Sequence, residues 1–224
     1  EYKFKGEDLF EVKNMWKNVY TYAYDETHNL TRINFPDGTF KALTYNSAKD
    51  WVMTFTDRAQ KGVSCLESYV YETDKNDPRN HYWSVATKTC NKEVVAEIRY
   101  EFWYKVHTDG KRYLSRVLTK SPSNSSDIVY HEIHGRPISI KKNGVTTTFA
   151  YAANGLVKEK STALMRMLFE YEKQFNKVSK VNVDFFDDKG KVVRNRVTTF
   201  NYDDKANLTS ASNSDGQSVK LTYD

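Results

Sequence analysis

The chain has 224 residues, a formal net charge of +5 and an aromatic-rich composition that includes 16 Tyr and 12 Phe. Only 9 Gly and 4 Pro are present, which excludes a collagen-like or low-complexity sequence. No apolar run reaches the roughly 18 residues of a membrane span, so no transmembrane segment is expected. Because Tyr, Phe, Val and Thr suit half-buried strands, the composition favours an all-β protein.

The charge is unevenly distributed along the chain. Residues 1–110 contain 15 Lys and Arg against 17 Asp and Glu, whereas residues 111–224 contain 19 against 12. A basic half can attract anions, but Lys also solvates surfaces and blunts exposed strand edges. Arg-rich clusters and aromatic RNA-binding signatures are absent, so we expect no nucleic-acid partner.

The first 20 residues allow two interpretations. Leu9, Val12 and Met15 have helical spacing, whereas Val19 and Tyr20 suit the start of a strand. Periodicity does not decide between helix and strand in so short a segment.

An internal repeat begins at residue 24. Residues 24–45 read YDETHNLTRINFPDGTFKALTY and residues 202–223 read YDDKANLTSASNSDGQSVKLTY, with identity at 10 of 22 positions. Degraded copies begin at His131, Tyr151, Tyr171 and Phe186. Each copy predicts two strands and two turns, because Asp-Gly is a strong hairpin signal. We therefore predict a long curved antiparallel sheet of β-hairpin repeats, open or forming a partial shell or half-barrel, with little or no helix.

The middle of the chain departs from the repeat but keeps the character of strands. The predicted strands are Trp51–Thr56, Val63–Tyr71, Tyr82–Cys90, Val94–Val106 and Arg112–Lys120. Two of them carry the only cysteines, Cys65 and Cys90, which lie outside any CxxC pattern. The pair predicts a disulfide between neighbouring strands in an oxidising compartment; two buried thiols in a cytosolic protein are the alternative.

The domain prediction is one continuous β-repeat domain over residues 1–224. Two sub-lobes are a further possibility within it, residues 1–120 with the cysteine pair and residues 128–224 with the more regular repeats. Ser121–Asp127, which reads SPSNSSD, is the linker-like segment between them.

These motifs resemble the YD-repeat, or rearrangement-hotspot (Rhs), family, whose unit reads approximately Y-D-x-x-G-x-L followed by a D-G turn. The matches are Tyr24-Asp25 with Leu30, Asp37-Gly38, Gly155, Phe186-Asp187 with Gly190, Tyr202-Asp203 with Leu208, and Asp215-Gly216. His28 and Ala206 replace the glycine, and Asn29 and Asn207 beside them are expected to take over the turn. The resemblance implies a curved hairpin sheet in a secreted, periplasmic or surface protein. It does not extend to the closed shells of full-length members, which enclose cargo, or to their self-cleaving motif.

No catalytic or metal site emerges from the motifs. His131 and His134 form HEIH, but residues three apart on a strand point to opposite faces and cannot share a metal ion. The acidic pairs fall in turns, where Asp is common. No hydrolase or nucleotide-binding motif is present. We therefore predict no enzyme, no cofactor and no metal.

The functional prediction rests on the aromatic residues. The repeat tyrosines are expected to stack on adjacent strands of their own sheet, whereas Trp83 and Trp103 lie outside the repeat and are candidate ligand-binding residues. The leading prediction is an extracytoplasmic scaffold or recognition module that binds a protein or a glycan, or self-associates through its sheet edges. The alternatives are a half-barrel carrier of lipid or another apolar ligand, and a glycan-active enzyme with two carboxylates facing one groove.

Overall fold

A computed structural model describes residues 1–59 and 65–223 of the chain. Within them 19 strands form an antiparallel sheet and no helix occurs, which confirms the all-β prediction. Successive strands pair as hairpins, from β1 to β8 and again from β11 to β19. The strands are β1 (Tyr2–Lys5), β2 (Asp8–Lys13), β3 (Val19–Tyr24), β4 (Leu30–Asn34), β5 (Phe40–Asn46), β6 (Trp51–Ala59), β7 (Cys65–Thr73), β8 (His81–Cys90), β9 (Glu93–Val106), β10 (Arg112–Lys120), β11 (Ser125–Tyr130), β12 (Pro137–Lys142), β13 (Val145–Tyr151), β14 (Val157–Ser161), β15 (Met165–Tyr171), β16 (Val178–Phe186), β17 (Val192–Tyr202), β18 (Leu208–Asn213) and β19 (Ser218–Lys220).

The chain divides into two compact units. The first unit comprises Glu1–Phe102 and Leu118–Asn124, and the second comprises Trp103–Val117 and Ser125–Asp224. No helix in the described part of the chain is long and apolar enough to cross a membrane.

The structure decides the ambiguous N-terminus and corrects one bound among the predicted elements. The N-terminal segment forms strands β1 to β3, so its helical spacing is incidental. The predicted linker is shorter than expected, because β11 already begins at Ser125 and continues through Asp127. Val63 and Ser64, predicted to open the strand that contains Cys65, lie outside the described residues.

Cys65 and Cys90 form the predicted disulfide. They are directly opposite each other at the ends of β7 and β8, with their Cα atoms 4.1 Å apart. The bond closes a segment with a sequence separation of 25, which corresponds to roughly 3–4 kcal/mol on the chain-entropy scale. It joins two strands in the part of the sheet that departs from the repeat.

Strands β15 and β16 of the second unit have one apolar face and one mainly polar face. Met167 of β15 pairs with Val183 of β16, and at the adjacent positions Arg166 pairs with Asp184. Because alternate residues of a strand point to opposite sides, the two pairs lie on different faces. On β16, Val181, Val183 and Phe185 therefore lie on one face, and Asn182 and Asp184 lie on the other.

Few side chains in the described residues are fully buried. Val183 is the one buried hydrophobic side chain, with 9% of its surface exposed, and no side chain is less than 2% exposed. Hydrophobic burial therefore contributes less per residue than in a protein with a two-layer core. Hydrogen bonds must therefore contribute a correspondingly large part of the stability of the fold.

A series of tyrosine hydroxyl groups links neighbouring strands near the ends of their backbone ladders. Each hydroxyl donates to the backbone carbonyl of the residue that opens, or nearly opens, an earlier strand, at 2.6–3.0 Å. In the first unit the bonds run from Tyr24 to Leu9, from Tyr45 to Leu30 and from Tyr71 to Val52. In the second unit they run from Tyr151 to Pro137, from Tyr171 to Val157, from Tyr202 to Val178 and from Tyr223 to Leu208.

This tyrosine ladder adds a role to the stacking predicted for the repeat tyrosines. Each hydroxyl has a hydrogen-bond partner, which phenylalanine could not provide. Burial raises the pKa of Tyr151, Tyr171 and Tyr202, so their hydroxyls stay protonated and able to donate. The repeat therefore selects Tyr for both packing and hydrogen bonding.

The aspartate of the repeat organises the turn that follows the tyrosine. Asp203 Oδ1 accepts the backbone N–H of Lys205 at 2.9 Å and of Asn207 at 2.8 Å, and its Oδ2 accepts the Asn207 side-chain amide at 3.0 Å. These bonds hold the pKa of Asp203 below its usual range, with the Asn207 backbone as the largest contributor. Asp25 accepts the same pair of backbone bonds from Thr27 and Asn29.

The residues at the expected glycine position adopt the glycine conformation themselves. His28 has φ 64° and Ala206 has φ 65°, in the left-handed region that costs an L-residue roughly 1–2 kcal/mol. The prediction that Asn29 and Asn207 take over the turn is therefore wrong. Their backbone N–H groups bond to the aspartate instead.

Tyr202→Phe should lower the free energy of unfolding by about 1 kcal/mol, because it leaves the half-buried Val178 carbonyl without its side-chain donor. Tyr130 is the control, since its hydroxyl has no hydrogen-bond partner among the described residues. Urea denaturation of the wild type, Tyr202→Phe and Tyr130→Phe measures the difference. Equal stability of the two variants would contradict the role of the hydroxyl.

Ala206→Gly should raise the free energy of unfolding by about 0.5–1 kcal/mol, since glycine adopts the positive φ without strain. Ala211→Gly, within β18, should instead lower it by about 0.5–1 kcal/mol because glycine weakens a strand interior. The same urea denaturation compares both. A destabilised Ala206→Gly protein would show that the turn conformation is not as described.

Candidate functional site

The first unit contains a groove where β6, β7 and β8 meet the turn that begins at Asp74. Its volume is about 650 Å³, and we call it the Trp83 groove. Trp51 opens β6, Tyr71 lies near the end of β7, and Trp83 lies near the start of β8. The residues that matter for its chemistry are Lys49, Trp51, Tyr71, Glu72, Asp74 and Trp83.

The aromatic side chains of this groove are held in place by polar contacts. The Tyr71 hydroxyl donates to the Val52 carbonyl at 2.8 Å, and the Trp83 indole N–H donates to Glu72 Oε2 at 2.7 Å. The Trp51 and Tyr71 rings lie 4.9 Å apart at an angle of 52°. A ligand would therefore meet rings whose orientation is already set, which limits the entropy lost on binding.

Cations lie over both tryptophans of the groove. Lys49 Nζ is 4.4 Å from the centre of the Trp51 ring, and the Arg99 guanidinium carbon is 4.4 Å from that of Trp83. Trp51 is 42% exposed, so one tryptophan is accessible from solvent. The π faces here attract positive charge.

A histidine bridges two carboxylates beside Trp83. His81 Nδ1 lies 2.9 Å from Asp74 Oδ2, and Nε2 lies 2.7 Å from Glu101 Oε1. Each carboxylate thus lies within hydrogen-bond distance of one ring nitrogen. The His81 and Trp83 rings are 5.6 Å apart, so this ion cluster also fixes one side of the tryptophan.

Both carboxyl groups of the cluster favour the ionised form. The Asn76 backbone N–H and His81 lower the pKa of Asp74. Burial acts to raise the pKa of Glu101, but hydrogen bonds from Arg99 and His81 outweigh it, and the pKa lies below its usual range. A general acid of a glycosidase needs a raised pKa, whereas the pKa values of Asp74 and Glu101 are both lowered. The His81 imidazole also lies between the two carboxylates.

Trp103, the other sequence candidate, lines a separate groove of about 570 Å³ in the second unit, which we call the Trp103 groove. The Arg116 guanidinium carbon lies 4.6 Å from the Trp103 ring centre. Arg116 Nε and Nη2 donate to Asp127 Oδ1 and Oδ2, each at 2.7 Å. Lys105 and Glu132 contribute opposite charges to its lining. The structure thus places the two predicted tryptophans in different grooves.

The HEIH segment does not have the geometry predicted for it. His131 and His134 lie in the turn between β11 and β12, where their rings stack with centres 4.6 Å apart. His131 Nδ1 accepts backbone N–H groups of Ile133 and His134 at 3.1 and 3.4 Å. The argument that the two residues point to opposite faces is wrong, because they are not on a strand. No group of three or more His, Cys, Asp or Glu suited to a metal occurs in residues 1–59 and 65–223.

Sequence reasoning missed Lys49, Trp51 and Tyr71 as parts of one groove. They come from the turn between β5 and β6 and from strands β6 and β7, and the pairing of β5 with β6 includes a bulge near Tyr45. The available signal for Tyr71 was its position at the end of a predicted strand. The signal for Trp51 was its position at the start of a predicted strand, two residues after a lysine.

The free energy of unfolding should fall between about pH 5 and pH 3, because the lowered pKa values of Asp74 and Glu101 stabilise the fold only while these groups are ionised. Their contribution is present above the unfolded carboxyl pKa and is lost as pH falls through the folded one. Glu101→Gln should therefore show a smaller fall than the wild type in urea titrations. Exposed Glu97 makes no ion pair within the described residues, and Glu97→Gln should retain the wild-type slope. An unchanged slope in Glu101→Gln would contradict the ion cluster.

No protein-family model and no curated protein sequence matches the chain. Solved structures with partial similarity include the Photorhabdus luminescens Tc holotoxin pore with a TccC3 mutation, at 10% identity and a TM-score of 0.45, covering 93% of this chain and 12% of that one. Crystal structures of TcdB2-TccC3-TEV and TcdB2-TccC3-Cdc42 follow at 9% and 12% identity, with TM-scores of 0.46 and 0.41. Each covers 92% of this chain and 12% of the other.

The chain thus spans about an eighth of the length of these toxin chains. At TM-scores and identities this low, the similarity supports no conclusion about function. Membership of the YD-repeat family stays a prediction from the motifs.

Proposed function

We propose that the chain is a non-catalytic scaffold with a recognition role, which acts outside the cytoplasm and binds a protein or glycan ligand at the Trp83 groove. The observation that supports it best is the arrangement of this groove, where Trp51, Tyr71 and Trp83 line an open cleft and bonds to other groups fix Tyr71 and Trp83. Rigid aromatic side chains with a polar rim are typical of recognition surfaces.

The use of the carboxylates supports a role other than catalysis. Asp25 and Asp203 organise turns through backbone bonds. Asp184 accepts a hydrogen bond from Arg166 at 2.7 Å and one from the Asn195 amide at 2.6 Å. Such groups have fixed structural partners, and their lowered pKa values make them poor proton donors near neutral pH.

The disulfide supports a location outside the cytoplasm. Cys65 and Cys90 are joined across β7 and β8, and structural disulfides persist in oxidising compartments. Secretion, the periplasm and the cell surface are all compatible with such an environment.

A carrier of lipid or another apolar ligand is the second candidate. The apolar face of the second unit favours it, since Met167 pairs with Val183 and Phe169 pairs with Val181 on one side of the sheet. These side chains are half-buried by one another, apart from the buried Val183. An apolar ligand would cover this face rather than fill the Trp83 groove.

Glycan and peptide microarrays should give a binding signal that Trp83→Ala abolishes and Trp16→Ala preserves. Trp16 is the matched control, because it is 73% exposed and lies outside the Trp83 groove. Trp103→Ala tests the other groove in the same assay.

Two outcomes would contradict the proposal. Full binding by Trp83→Ala would remove the groove from recognition, and chromatographic detection of cleaved glycan would show an enzyme. Binding of a fluorescent fatty acid that is unaffected by Trp83→Ala, with no array signal, would favour the carrier.

A further inference from the structure

The Trp51 side of the Trp83 groove has the composition of a site for an organic cation. We propose that it binds an alkylated ammonium group, such as that of choline, against the rings of Trp51 and Tyr71. The inference rests on the proposed recognition role and names the chemical group that is recognised.

The first step of the inference is that Trp51 already holds an alkylammonium. Lys49 Nζ lies 4.4 Å from the centre of its ring. Among the described residues, no carboxylate lies within ion-pair distance of Lys49. The lysine ammonium thus rests on an aromatic face and not on an anion. It stands in for the cation of a ligand.

The second step concerns the shape of the aromatic surface. The Trp51 and Tyr71 rings are 4.9 Å apart and inclined at 52°, so they form a corner with two π faces. The bond from the Tyr71 hydroxyl to Val52, at 2.8 Å, fixes one wall of this corner. A methylated ammonium group is roughly spherical and can contact inclined rings, whereas a pyranose ring stacks best on a single open face.

The third step concerns charge in the same groove. Glu72 and Asp74 line it together with Lys49 and Lys75. Glu72 is oriented by the Trp83 N–H at 2.7 Å, and Asp74 by His81 at 2.9 Å. Once a ligand displaces Lys49, two oriented carboxylates and the single cation Lys75 line the groove, and this balance favours a positive ligand over a negative one.

The fourth step explains how a ligand can displace Lys49. A primary ammonium is compact and strongly hydrated, and Lys49 is exposed, so leaving the ring costs it little. A quaternary ammonium donates no hydrogen bonds to water and gains more from an aromatic surface. A choline-type group should therefore replace Lys49 on Trp51. Phosphocholine headgroups and trimethylated lysine share this chemistry.

The test is titration of the full chain with choline chloride and with 3,3-dimethylbutan-1-ol, its uncharged isostere, followed by tryptophan fluorescence and NMR. We expect saturable binding of choline, with affinity at least tenfold above that of the isostere. Trp51→Ala should weaken choline binding about tenfold and Trp51→Phe less, consistent with one cation–π contact removed or reduced. Lys49→Met removes the internal competitor and should tighten binding about threefold.

Matched controls separate the groove from general effects. Lys41→Met is the control for Lys49→Met, because Lys41 also lies near an aromatic ring, at 5.8 Å from Phe55, but pairs with Asp57. It should leave choline binding unchanged, as should Trp16→Ala. Phosphatidylcholine vesicles and a trimethyl-lysine peptide, tested in parallel, identify which source of the group the groove takes.

Equal affinity for choline and its isostere would overturn the inference, and so would absence of choline binding while Trp83→Ala abolishes a microarray signal. In both cases the recognition role would stand. Loss of every signal, in the titrations and on the arrays, would overturn the recognition role itself.

Discussion

The hydrogen bond from a tyrosine hydroxyl to a backbone carbonyl of the neighbouring strand is the interaction on which the rest of the structure depends. Adjacent strands are joined by their backbone ladders, but a ladder can end before its strands do, as between β14 and β15 at Glu159 and Leu168. The tyrosine hydroxyl adds a constraint beyond the end of the ladder, for example from Tyr171 to Val157 and from Tyr202 to Val178. It acts where each strand meets its turn, and so sets the start of the return strand.

The scarcity of buried hydrophobic side chains explains why such a constraint matters. With Val183 as the one buried hydrophobic residue in the described chain, the sheet has no second layer to fix its strands. Hydrogen bonds therefore hold the strands in position, and many polar side chains are engaged in such bonds. Asp203 organises a turn, and the His81 cluster holds the side of Trp83. The aromatic side chains near the strand ends therefore form the surface that is available to an external ligand.

The repeat made much of the fold predictable. Tyrosine, aspartate and a turn at constant offsets predict hairpins, and Cys65 and Cys90 fall on strands that pair directly. The partner of each tyrosine hydroxyl was not predictable, since its acceptor lies 14 to 24 residues earlier and depends on the length of the intervening turns. Ala206 shows a second limit: the turn imposes a positive φ even where the side chain opposes it.

The candidate site was predictable only in part. Trp83 and Trp103 stand out because they interrupt the repeat, and both line grooves. The contact of Lys49 with Trp51 arises from the conformation of one turn, which spacing does not reveal. The placement of His131 and His134 also depends on a turn conformation, because the sequence interpretation assigned this turn to a strand.

The central claim is that the tyrosine hydroxyls are held as donors by the fold. The exchange of tyrosine hydroxyl protons with water, measured by NMR, tests it most directly. The account predicts slowly exchanging hydroxyl protons for Tyr151, Tyr171 and Tyr202, and fast exchange for Tyr22 and Tyr130, whose hydroxyls have no partner among the described residues. Exchange of all five at the same fast rate would contradict it.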